Sequence, residues 1–380
     1  MKKVFLYNPE NDIALSHGSG NFTPPKNALA LSRYASPVMW WVAGEGDYII
    51  VPDDMPAGYM NALDLWQEQA RAVAGCKGAE IITSARNCDV SEAVPWGWSR
   101  HAVRRLLSAG VDAAVVSLSA PDADKVRDLS HRRTASGIVS RLCDEVDFMA
   151  CGNPVPWPAM EVREWCGVEQ FASKHGDFYC KMPWSSSGRG VRRVTSDGLH
   201  YLKNQFDGMI KAQGSVMLEP AYDKTDDFAM LFEARDGKVR FHGYSLFFND
   251  RGEAYGGNLI ASDAEIRQFL AKKVSGDLLE QLAAALERIL SDTVGSSYQG
   301  FMGVDMMIAR DGTSHFIVPC VELNLRMTMG VVAHSVGEKL RNAGHTGRRL
   351  MRMAVGGSAD DVFVQIVPQN NVFGIGLSAL

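Results

Sequence analysis

Short apolar runs alternate with amphipathic helical segments along roughly the first 120 residues. The apolar runs predict strands at Val4–Tyr7, Asp47–Val51 and Glu80–Thr83. The spacing of apolar residues predicts helices at Asn27–Tyr34, at Met60–Ala74 and, after the N-cap Ser99, up to Ala109. This alternation favours a parallel, Rossmann-like α/β layer. No G-x-G-x-x-G motif follows the first strand, so the pattern does not support dinucleotide binding.

The pattern changes in the second part of the chain. One helical stretch is predicted from Pro121 to Cys143, and Cys151–Pro158 suits a junction between domains because it holds three prolines and a glycine. Strands are then predicted at Tyr179–Met182, Val216–Glu219, Phe228–Glu233, Val239–Phe247, Phe301–Ile308 and Phe316–Leu325. Further helices are predicted at Ser275–Leu290 and Val332–Asn342.

One strand carries an unusual set of polar residues. In Val321–Gly330, V-E-L-N-L-R-M-T-M-G, strict alternation places Glu322, Asn324 and Arg326 on one face. A carboxylate, an amide oxygen and a guanidinium in one row suit a divalent cation and the phosphate oxygens that it bridges. Taken alone, the pattern is more typical of a half-solvated edge strand, so the other motifs must decide.

Composition narrows the classes of function. The chain has 380 residues, which predicts two or three domains, and its hydrophobic (46%) and charged (22%) fractions are ordinary. A formal net charge of -5 gives no global positive field, so we do not expect nucleic-acid binding. Seven cysteines without metal-ligand spacing fit buried thiols in a reducing compartment. No run suits a signal peptide or a membrane span, so we expect a cytoplasmic protein without a membrane partner.

A second motif places a lysine before a loop of serines and glycines. Lys181 ends a predicted strand, and the loop that follows contains Ser185, Ser186, Ser187, Gly188 and Gly190. Glycines let backbone N–H groups approach phosphate oxygens, while the hydroxyls and the ammonium add donors and charge. The motif is not a Walker A loop, because the lysine precedes the glycines and no helix follows directly. An ordinary hairpin turn is the alternative interpretation.

Two acidic residues interrupt or end apolar strands. Glu219 ends the strand that Pro220 breaks, a position at which a surface acid is common. Asp305 lies inside the apolar run Gly303–Ile308. A carboxylate in such a run is costly unless a cation or a hydrogen-bond donor meets it.

Asp305 and Glu322 can share a metal only in a suitable strand register. A two-residue turn at 311–312 would place Glu322 four positions beyond the residue opposite Asp305, an offset of about 13 Å. That offset is too long for two ligands that each lie about 2.1 Å from one cation. We therefore predict either a longer loop around residues 313–314 or a bulge at Pro319, which lacks a ladder N–H.

The order of these motifs resembles that of the ATP-grasp superfamily. The resemblance is carried by Lys181 with the 185–190 loop, by Glu219, by Asp305 and by Glu322-Leu-Asn324-Leu-Arg326. It implies an α/β N-terminal Rossmann-like domain followed by a two-subdomain α+β ATP-grasp fold. The implied boundaries are 1–124 for the pre-ATP-grasp domain, 125–355 for the ATP-grasp domain and 356–380 for a C-terminal extension. Within the ATP-grasp domain, the small nucleotide-binding subdomain covers about 151–220 and the larger one about 221–355.

The resemblance also implies a role for each motif in binding ATP. Lys181 would meet the α- and β-phosphates, and the 185–190 loop would close over the β- and γ-phosphates. Glu219 would lie in the hinge, near adenine and ribose. Asp305, Glu322 and Asn324 would hold one or two Mg²⁺ ions, or Mn²⁺. Arg326 would steady the transferred phosphoryl group, so Lys181 and Arg326 are the implied catalytic residues; positioning and charge neutralisation make a nucleophilic side chain unnecessary.

One position departs from the family pattern. The sequence gives only a few candidate residues for the site that binds the acceptor substrate. Many members carry another lysine where this chain has Arg132 and Arg133, and either arginine could replace it. Arg240, His242 and Asn258 lie between the nucleotide motifs and are candidate substrate residues, although a turn with a capping Asn is the commoner explanation. The early N-P-E-N-D loop, within the polar Asn8–Pro25 segment, is a further candidate lining of the cleft.

The resemblance leads to one main hypothesis and two alternatives. The main hypothesis is a ligase that activates a small carboxylate as an acyl phosphate, which an amine then attacks. The first alternative is a small-molecule kinase on the same fold. The second is a non-catalytic ATP-binding regulatory protein, which would need fewer metal ligands. The sequence leaves the substrates and the oligomeric state open.

Overall fold

The described part of the chain forms three β-sheets, of four, four and eight strands. This computed structural model describes residues 2–185, 190–249, 255–355, 362–370 and 373–380. Each sheet is built from strands that are consecutive in sequence. None of the helices in these ranges is both long and apolar enough to cross a bilayer.

The first sheet is parallel. It contains β1 (Lys3–Leu6), β2 (Tyr48–Ile50), β3 (Glu80–Ile82) and β4 (Glu92–Pro95), in the order β3-β2-β1-β4. Its helices are α1 (Asn11–His17), α2 (Lys26–Tyr34), α3 (Ala57–Ala74), α4 (Arg100–Ser108) and α5 (Ala113–Ser119), with a 3₁₀ helix at Ser36–Trp41. The predicted strands β1–β3 and helices α2–α4 are confirmed to within a few residues. Ser99 caps α4, since its hydroxyl accepts a hydrogen bond from the N–H of Ala102 at 3.2 Å.

Two predictions in this part are wrong in detail. The segment Asn8–Pro25, predicted as a loop, contains α1, whose buried face beyond Asn11 is only Ala14 and Leu15 and is too short to produce a periodic signal. The single helix predicted up to Cys143 is two helices, α6 (Ala123–Leu129) and α7 (Arg132–Glu145). His131 separates them, because its extended backbone and its side chain cap the start of α7.

The second sheet is antiparallel and small. It contains β5 (Met160–Val162), β6 (Phe178–Lys181), β7 (Val191–Val194) and β8 (Val216–Pro220), in the order β5-β8-β6-β7. The helices α8 (Trp165–His175) and α9 (Lys203–Gln213), with a 3₁₀ helix at Ser196–Leu202, complete this unit. Its own core includes Phe171, Phe178 and Phe206.

The third sheet is antiparallel and has the strand order β13-β12-β9-β10-β11-β14-β16-β15. Its strands are β9 (Asp223–Arg235), β10 (Lys238–Asn249), β11 (Tyr255–Ile260), β12 (Gly300–Asp311), β13 (Ser314–Asn324), β14 (Arg349–Val355), β15 (Val364–Gln365) and β16 (Phe373–Ala379). The residues that we assigned to a C-terminal extension thus add two strands to this sheet.

Helices cover both faces of the third sheet. On one face, Phe228, Met230 and Phe232 of β9 share a core with helix α11. On the other, Ala229 and Leu231 pack against Val331, and we call this side the α12 face. The helices involved are α10 (Asp263–Leu270), α11 (Gly276–Leu290), which continues into a π-helical turn at Ser291–Gly295, and α12 (Met329–Asn342).

The N-terminal unit docks on the α12 face. One buried cluster contains Trp40 and Trp66 of the N-terminal unit together with Val332 and Leu340 of α12. The indole N–H of Trp66 donates to the carbonyl of Gln365 at 2.8 Å, which ties α3 to β15. This docking brings α1 to the edge of the third sheet at which β13 ends.

Candidate active site

A β-bulge places Asp305 directly opposite Glu322 on neighbouring strands. Near the turn the pairing is regular, with Met307 opposite Val318, but beyond it Asp305 pairs with Glu322, so that three residues of β13 face one of β12. The bulge predicted at Pro319 is therefore confirmed. The predicted alternative, a longer loop, does not occur, because Asp311 pairs with Ser314 across a two-residue turn. Within the bulge, Cys320 takes a φ of 51°, a rare left-handed conformation for a residue other than glycine.

Three oxygen-bearing side chains meet at this point, and we call Asp305, Glu322 and Asn324 the oxygen cluster. The amide of Asn324 donates to Asp305 Oδ2 at 2.9 Å. Burial, and then the negative charge of Glu322, raise the pKa of Asp305 to about 7. A carboxyl with a raised pKa beside a second carboxylate is a site at which a cation would relieve electrostatic repulsion.

Arg326 is held beside the oxygen cluster by residues from two parts of the chain. Its guanidinium donates to Asn324 Oδ1 at 2.9 Å and, through Nε, to both carboxylate oxygens of Asp12 at 2.8 and 3.0 Å. Burial raises the pKa of Asp12, although the charge of Arg326 opposes this shift. Asp12 lies on α1, so the sequence pointed to its segment as a possible lining of the cleft but not to this contact.

Of the two adjacent arginines, the structure brings Arg132 into the cleft. Its buried guanidinium donates to Glu322 Oε1 at 2.9 Å and to Ser185 Oγ at 3.2 Å. Arg133 lies on the surface, where its guanidinium pairs with Asp128. Arg132 thus joins the start of the serine loop to the oxygen cluster.

Lys181 and Glu219 form an ion pair on the second sheet. They lie on β6 and β8 and are largely buried, with side-chain exposures of 9% and 18%. The serine–glycine loop joins β6 to β7, and at its base the N–H of Met182 donates to the carbonyl of Gly190 at 2.8 Å. Gly190 has a φ of 70°, which favours glycine. Ser186, Ser187 and Gly188 lie outside the described residues.

Two cavities lie near Arg132 and the oxygen cluster. The first is largely apolar and is lined by residues that include Trp157, Met217, Met307 and Val318, with Lys181, Glu219 and Arg132. The second is polar and includes Asp12, Ser185, Glu322 and Asn324. Arg132 lines the first cavity and contacts Ser185 and Glu322 in the second. The first cavity thus offers apolar surface beside a lysine and a glutamate, and the second offers polar side chains suited to anionic groups and a cation.

The candidate substrate residues are placed elsewhere. Arg240 is exposed and lies 3.8 Å from Glu287 of α11. His242 packs against His334 of α12, with ring centroids 4.7 Å apart. Neither residue lines either cavity. The bulge in β10 lies after Phe241, so His242 is its extra residue and packs against α12.

Asn258 is buried on the α12 face. Its amide donates to Ser245 Oγ at 2.7 Å, and the hydroxyl of Tyr255 donates to its side-chain oxygen. Its polar atoms are therefore satisfied within the protein and do not point into either cavity. This contact network, rather than a turn, explains why the asparagine is there.

The segment before α1 contributes a buried polar group that sequence reasoning did not single out. Glu10 accepts hydrogen bonds from His101 at 3.1 Å and from Arg105 at 2.8 Å. Although burial opposes the shift, these contacts lower the pKa of Glu10. The side-chain amide of Asn11 is fully buried and makes no hydrogen bond within the described part of the chain. The only sequence signal was the polar character of the loop.

Comparison with solved structures identifies the fold. N5-carboxyaminoimidazole synthetase from Staphylococcus aureus, solved with ADP, aligns with 100% of this chain and 93% of its own at a TM-score of 0.51 and 9% identity. Biotin carboxylase from Campylobacter jejuni, solved as a β,γ-ATP complex, aligns over 99% and 86% at 0.50 and 11%. Pyruvate carboxylase from Rhizobium etli aligns at 0.52 and 12%, but the match covers only 36% of that longer chain. No protein-family model and no curated protein matches the sequence.

The chain therefore has the ATP-grasp fold, as the order of its motifs predicted. At these identities the likeness establishes the fold. A fold hosts several chemistries, so the activity must be argued from the residues of the site.

Proposed function

We propose that this protein is an ATP- and Mg²⁺-dependent ligase that activates a carboxylate as an acyl phosphate for attack by an amine. The observation that carries the proposal is the bulge that brings Asp305 opposite Glu322, with Asn324 beside them. Carboxylate and amide oxygens are the ligands that Mg²⁺ accepts, and a triphosphate supplies the rest. The raised pKa of Asp305 supports a site that is completed by a cation.

The two cavities support a specific orientation of the nucleotide. Adenine would lie in the apolar cavity, near the Glu219–Lys181 ion pair. The phosphates would extend toward Ser185, Arg132 and the oxygen cluster. The ADP and β,γ-ATP complexes of the two structures aligned above agree with nucleotide binding on this fold.

The protein residues would act by position and charge. Bound Mg²⁺ would neutralise charge on the phosphate oxygens. Arg326, clamped by Asp12 and Asn324, would hold an oxygen of the transferred group in a fixed place. Arg132 would exchange its contact with Glu322 for one with phosphate when the nucleotide arrives.

The proposed domains follow from the same assignment. The parallel sheet with order β3-β2-β1-β4 supports a Rossmann-like pre-ATP-grasp domain at 1–124. The second sheet would form the small subdomain and strands β9–β14 of the third sheet the large subdomain of the proposed 125–355 ATP-grasp region, while β15 and β16 from the 356–380 segment would extend the same sheet. The contact between Asp12 and Arg326 supports an acceptor site between the N-terminal domain and the large subdomain.

The proposal is tested by screening pairs of amino acids and small acids for ATP- and Mg²⁺-dependent phosphate release. Hydroxylamine should trap the acyl phosphate as a hydroxamate when the correct acid is present. If a hydroxyl compound stimulates ADP formation and hydroxylamine traps no hydroxamate, the protein is a kinase instead. ATP binding with no acceptor that stimulates ADP release would favour a regulatory protein and contradict the ligase.

A further inference from the structure

A second polar cluster lies on the α12 face, beside the middle of helix α12, and is separate from the oxygen cluster. It consists of His242 on β10, His334 and Glu338 on α12, and Asp263 at the start of α10, and we call it the histidine cluster. His242, His334 and Glu338 each offer a ligand atom, and these atoms lie within 4.8 Å of one another. None of these residues lines the cavities of the candidate active site.

Two imidazole nitrogens in the histidine cluster point into it without a partner. His334 Nδ1 and His242 Nε2 are buried and accept or donate no hydrogen bond within the described ranges. The side chain of His334 is only 5% exposed. Buried polar atoms in folded proteins are nearly always satisfied, so two such atoms in one cluster mark a place for a ligand.

Asp263 sets the orientation of His334. One oxygen of this carboxylate lies 3.1 Å from His334 Nε2, and the other accepts from the N–H of Tyr244 at 2.7 Å. The carboxylate holds a proton on Nε2 and leaves the lone pair of Nδ1 directed toward Glu338, which lies 3.7 Å away. This carboxylate–histidine arrangement is the outer-shell pattern that orients metal ligands in proteins.

The backbone is shaped around the same side chains. The register of β10 shifts between Phe241 and Gly243, so His242 is the extra residue of a bulge and its ring faces α12. A Cβ atom at Gly243 would lie 2.5 Å from His334 Nε2 and 2.8 Å from Asp263 Oδ1. Only glycine leaves room for this histidine–carboxylate pair. On α12, His334 and Glu338 are four residues apart and share one face of the helix.

We propose that His242 Nε2, His334 Nδ1 and a carboxylate oxygen of Glu338 bind one late first-row divalent cation, with Zn²⁺ as the best fit. Two imidazoles and one carboxylate form a common zinc ligand set, which leaves a fourth position for water. Mg²⁺ prefers oxygen ligands, so the histidine cluster and the oxygen cluster should select different metals.

The cation would link β10 to α12 in the large subdomain. The Glu338 side chain is 51% exposed, so the site opens to solvent on one side and an ion can enter. The inference uses residues outside the proposed ATP site and does not depend on the ligase activity.

The test measures binding of Zn²⁺ and Co²⁺ to the full chain after removal of bound metal. A Glu322→Gln background keeps the oxygen cluster from contributing a second site. We expect one equivalent of Zn²⁺ to bind, and bound Co²⁺ to show the intense visible absorption of four-coordinate nitrogen and oxygen ligation. Absence of stoichiometric binding of either ion to the folded chain would overturn the proposal.

Matched variants locate the site. Glu338→Gln is partly exposed and should fold, and His334→Ala removes the central ligand; each should weaken Zn²⁺ binding by more than about tenfold, since loss of an outer-shell partner alone costs 10–100-fold. Asp263→Asn should weaken it within that outer-shell range. His200→Ala removes an exposed histidine elsewhere and should change nothing. Equal affinities in Glu338→Gln, His334→Ala and the unmodified chain would contradict the assignment, even if zinc binds somewhere.

Discussion

The oxygen cluster and the histidine cluster lie on the same face of the same sheet but differ in donor chemistry. The first combines two carboxylates with an amide beside Arg326, and the second combines two imidazoles with a carboxylate beside Asp263. Both depend on a β-bulge, in β13 for the first and in β10 for the second. A bulge can therefore redirect a side chain toward a ligand without changing the surrounding sheet.

The oxygen cluster and the histidine cluster also differ in how a ligand reaches them. Glu322 and Asn324 of the oxygen cluster line a polar cavity together with Asp12 and Ser185, where a nucleotide could complete the coordination of a cation. The histidine cluster brings three candidate ligand side chains together from β10 and α12, so the cation proposed there would need no substrate. The first arrangement suits a cation that arrives with substrate, and the second suits a resident cation.

The largest expected effect is loss of turnover when the oxygen cluster loses a charge. Glu322→Gln keeps the shape and an acceptor for Arg132 but removes the carboxylate that we propose as a metal ligand. We expect ATP turnover to fall on the order of 100-fold or more, because a single group that stabilises transition-state charge contributes that much. Steady-state phosphate release at saturating Mg²⁺ measures it.

Asp311→Asn provides the control, since Asp311 is an exposed acid on the same hairpin. It should leave turnover unchanged. If the Glu322 variant retains full turnover, the oxygen cluster is not a catalytic metal site, and the distinction between the two clusters fails at its main point.

The second largest effect distinguishes which of the two adjacent arginines binds the nucleotide. Arg132→Ala should raise the KM for ATP by about 10- to 100-fold, because the variant loses the buried guanidinium that we propose contacts phosphate. Arg133→Ala should change it by less than about twofold, because that side chain is exposed and pairs only weakly with Asp128. Equal effects of the two substitutions on ATP binding would place the phosphates elsewhere.

Much of the oxygen cluster was predictable because its residues lie close together in sequence. Alternation places Glu322, Asn324 and Arg326 on one face, and the spacing to Asp305 required either a longer loop or a bulge at Pro319, of which the structure has the bulge. The choice between Arg132 and Arg133 was not predictable, since it depends on how the N-cap at His131 rotates the first turn of α7. Local periodicity does not report that rotation.

The contacts that join distant segments could not be predicted. Asp12 reaches Arg326 across more than 300 residues of sequence, and α1 has too few apolar residues to indicate a helix. His242 and His334 come together only because β10 and α12 pack on one another, with Gly243 between them. Sequence suggested His242 for a substrate site because it lay between nucleotide motifs, and packing placed it elsewhere.

The third effect is a pH dependence that belongs to the oxygen cluster. The pKa of Asp305 is raised to about 7, so a cation must displace its proton below neutral pH. Affinity for Mg²⁺ should therefore fall by about tenfold per pH unit below 7 and level off above it. As the pH rises, the unfolded chain loses the Asp305 proton at a lower pH than the folded chain does. The contribution of Asp305 to the free energy of unfolding therefore falls as the pH rises toward 7.

Isothermal titration of Mg²⁺ with bound nucleotide, from slightly acidic to alkaline pH, measures this dependence. Asp305→Asn should bind Mg²⁺ weakly, with little change of affinity across the range. A steep dependence that survives in Asp305→Asn would assign the titration to another group.

The smallest effect compares two glycines that pack against α12 at the two clusters. A Cβ atom at Gly243 would lie 2.5 Å from His334 Nε2, whereas one at Gly303 would come no closer than 3.1 Å, to Thr328 Cγ2. Gly243→Ala should therefore lower the free energy of unfolding by about 1–3 kcal/mol, and Gly303→Ala by less than about 1 kcal/mol. Urea unfolding followed by circular dichroism measures both. Equal costs would mean that His334 and Asp263 can move aside, and ligands that move so easily would not hold a cation in a fixed geometry.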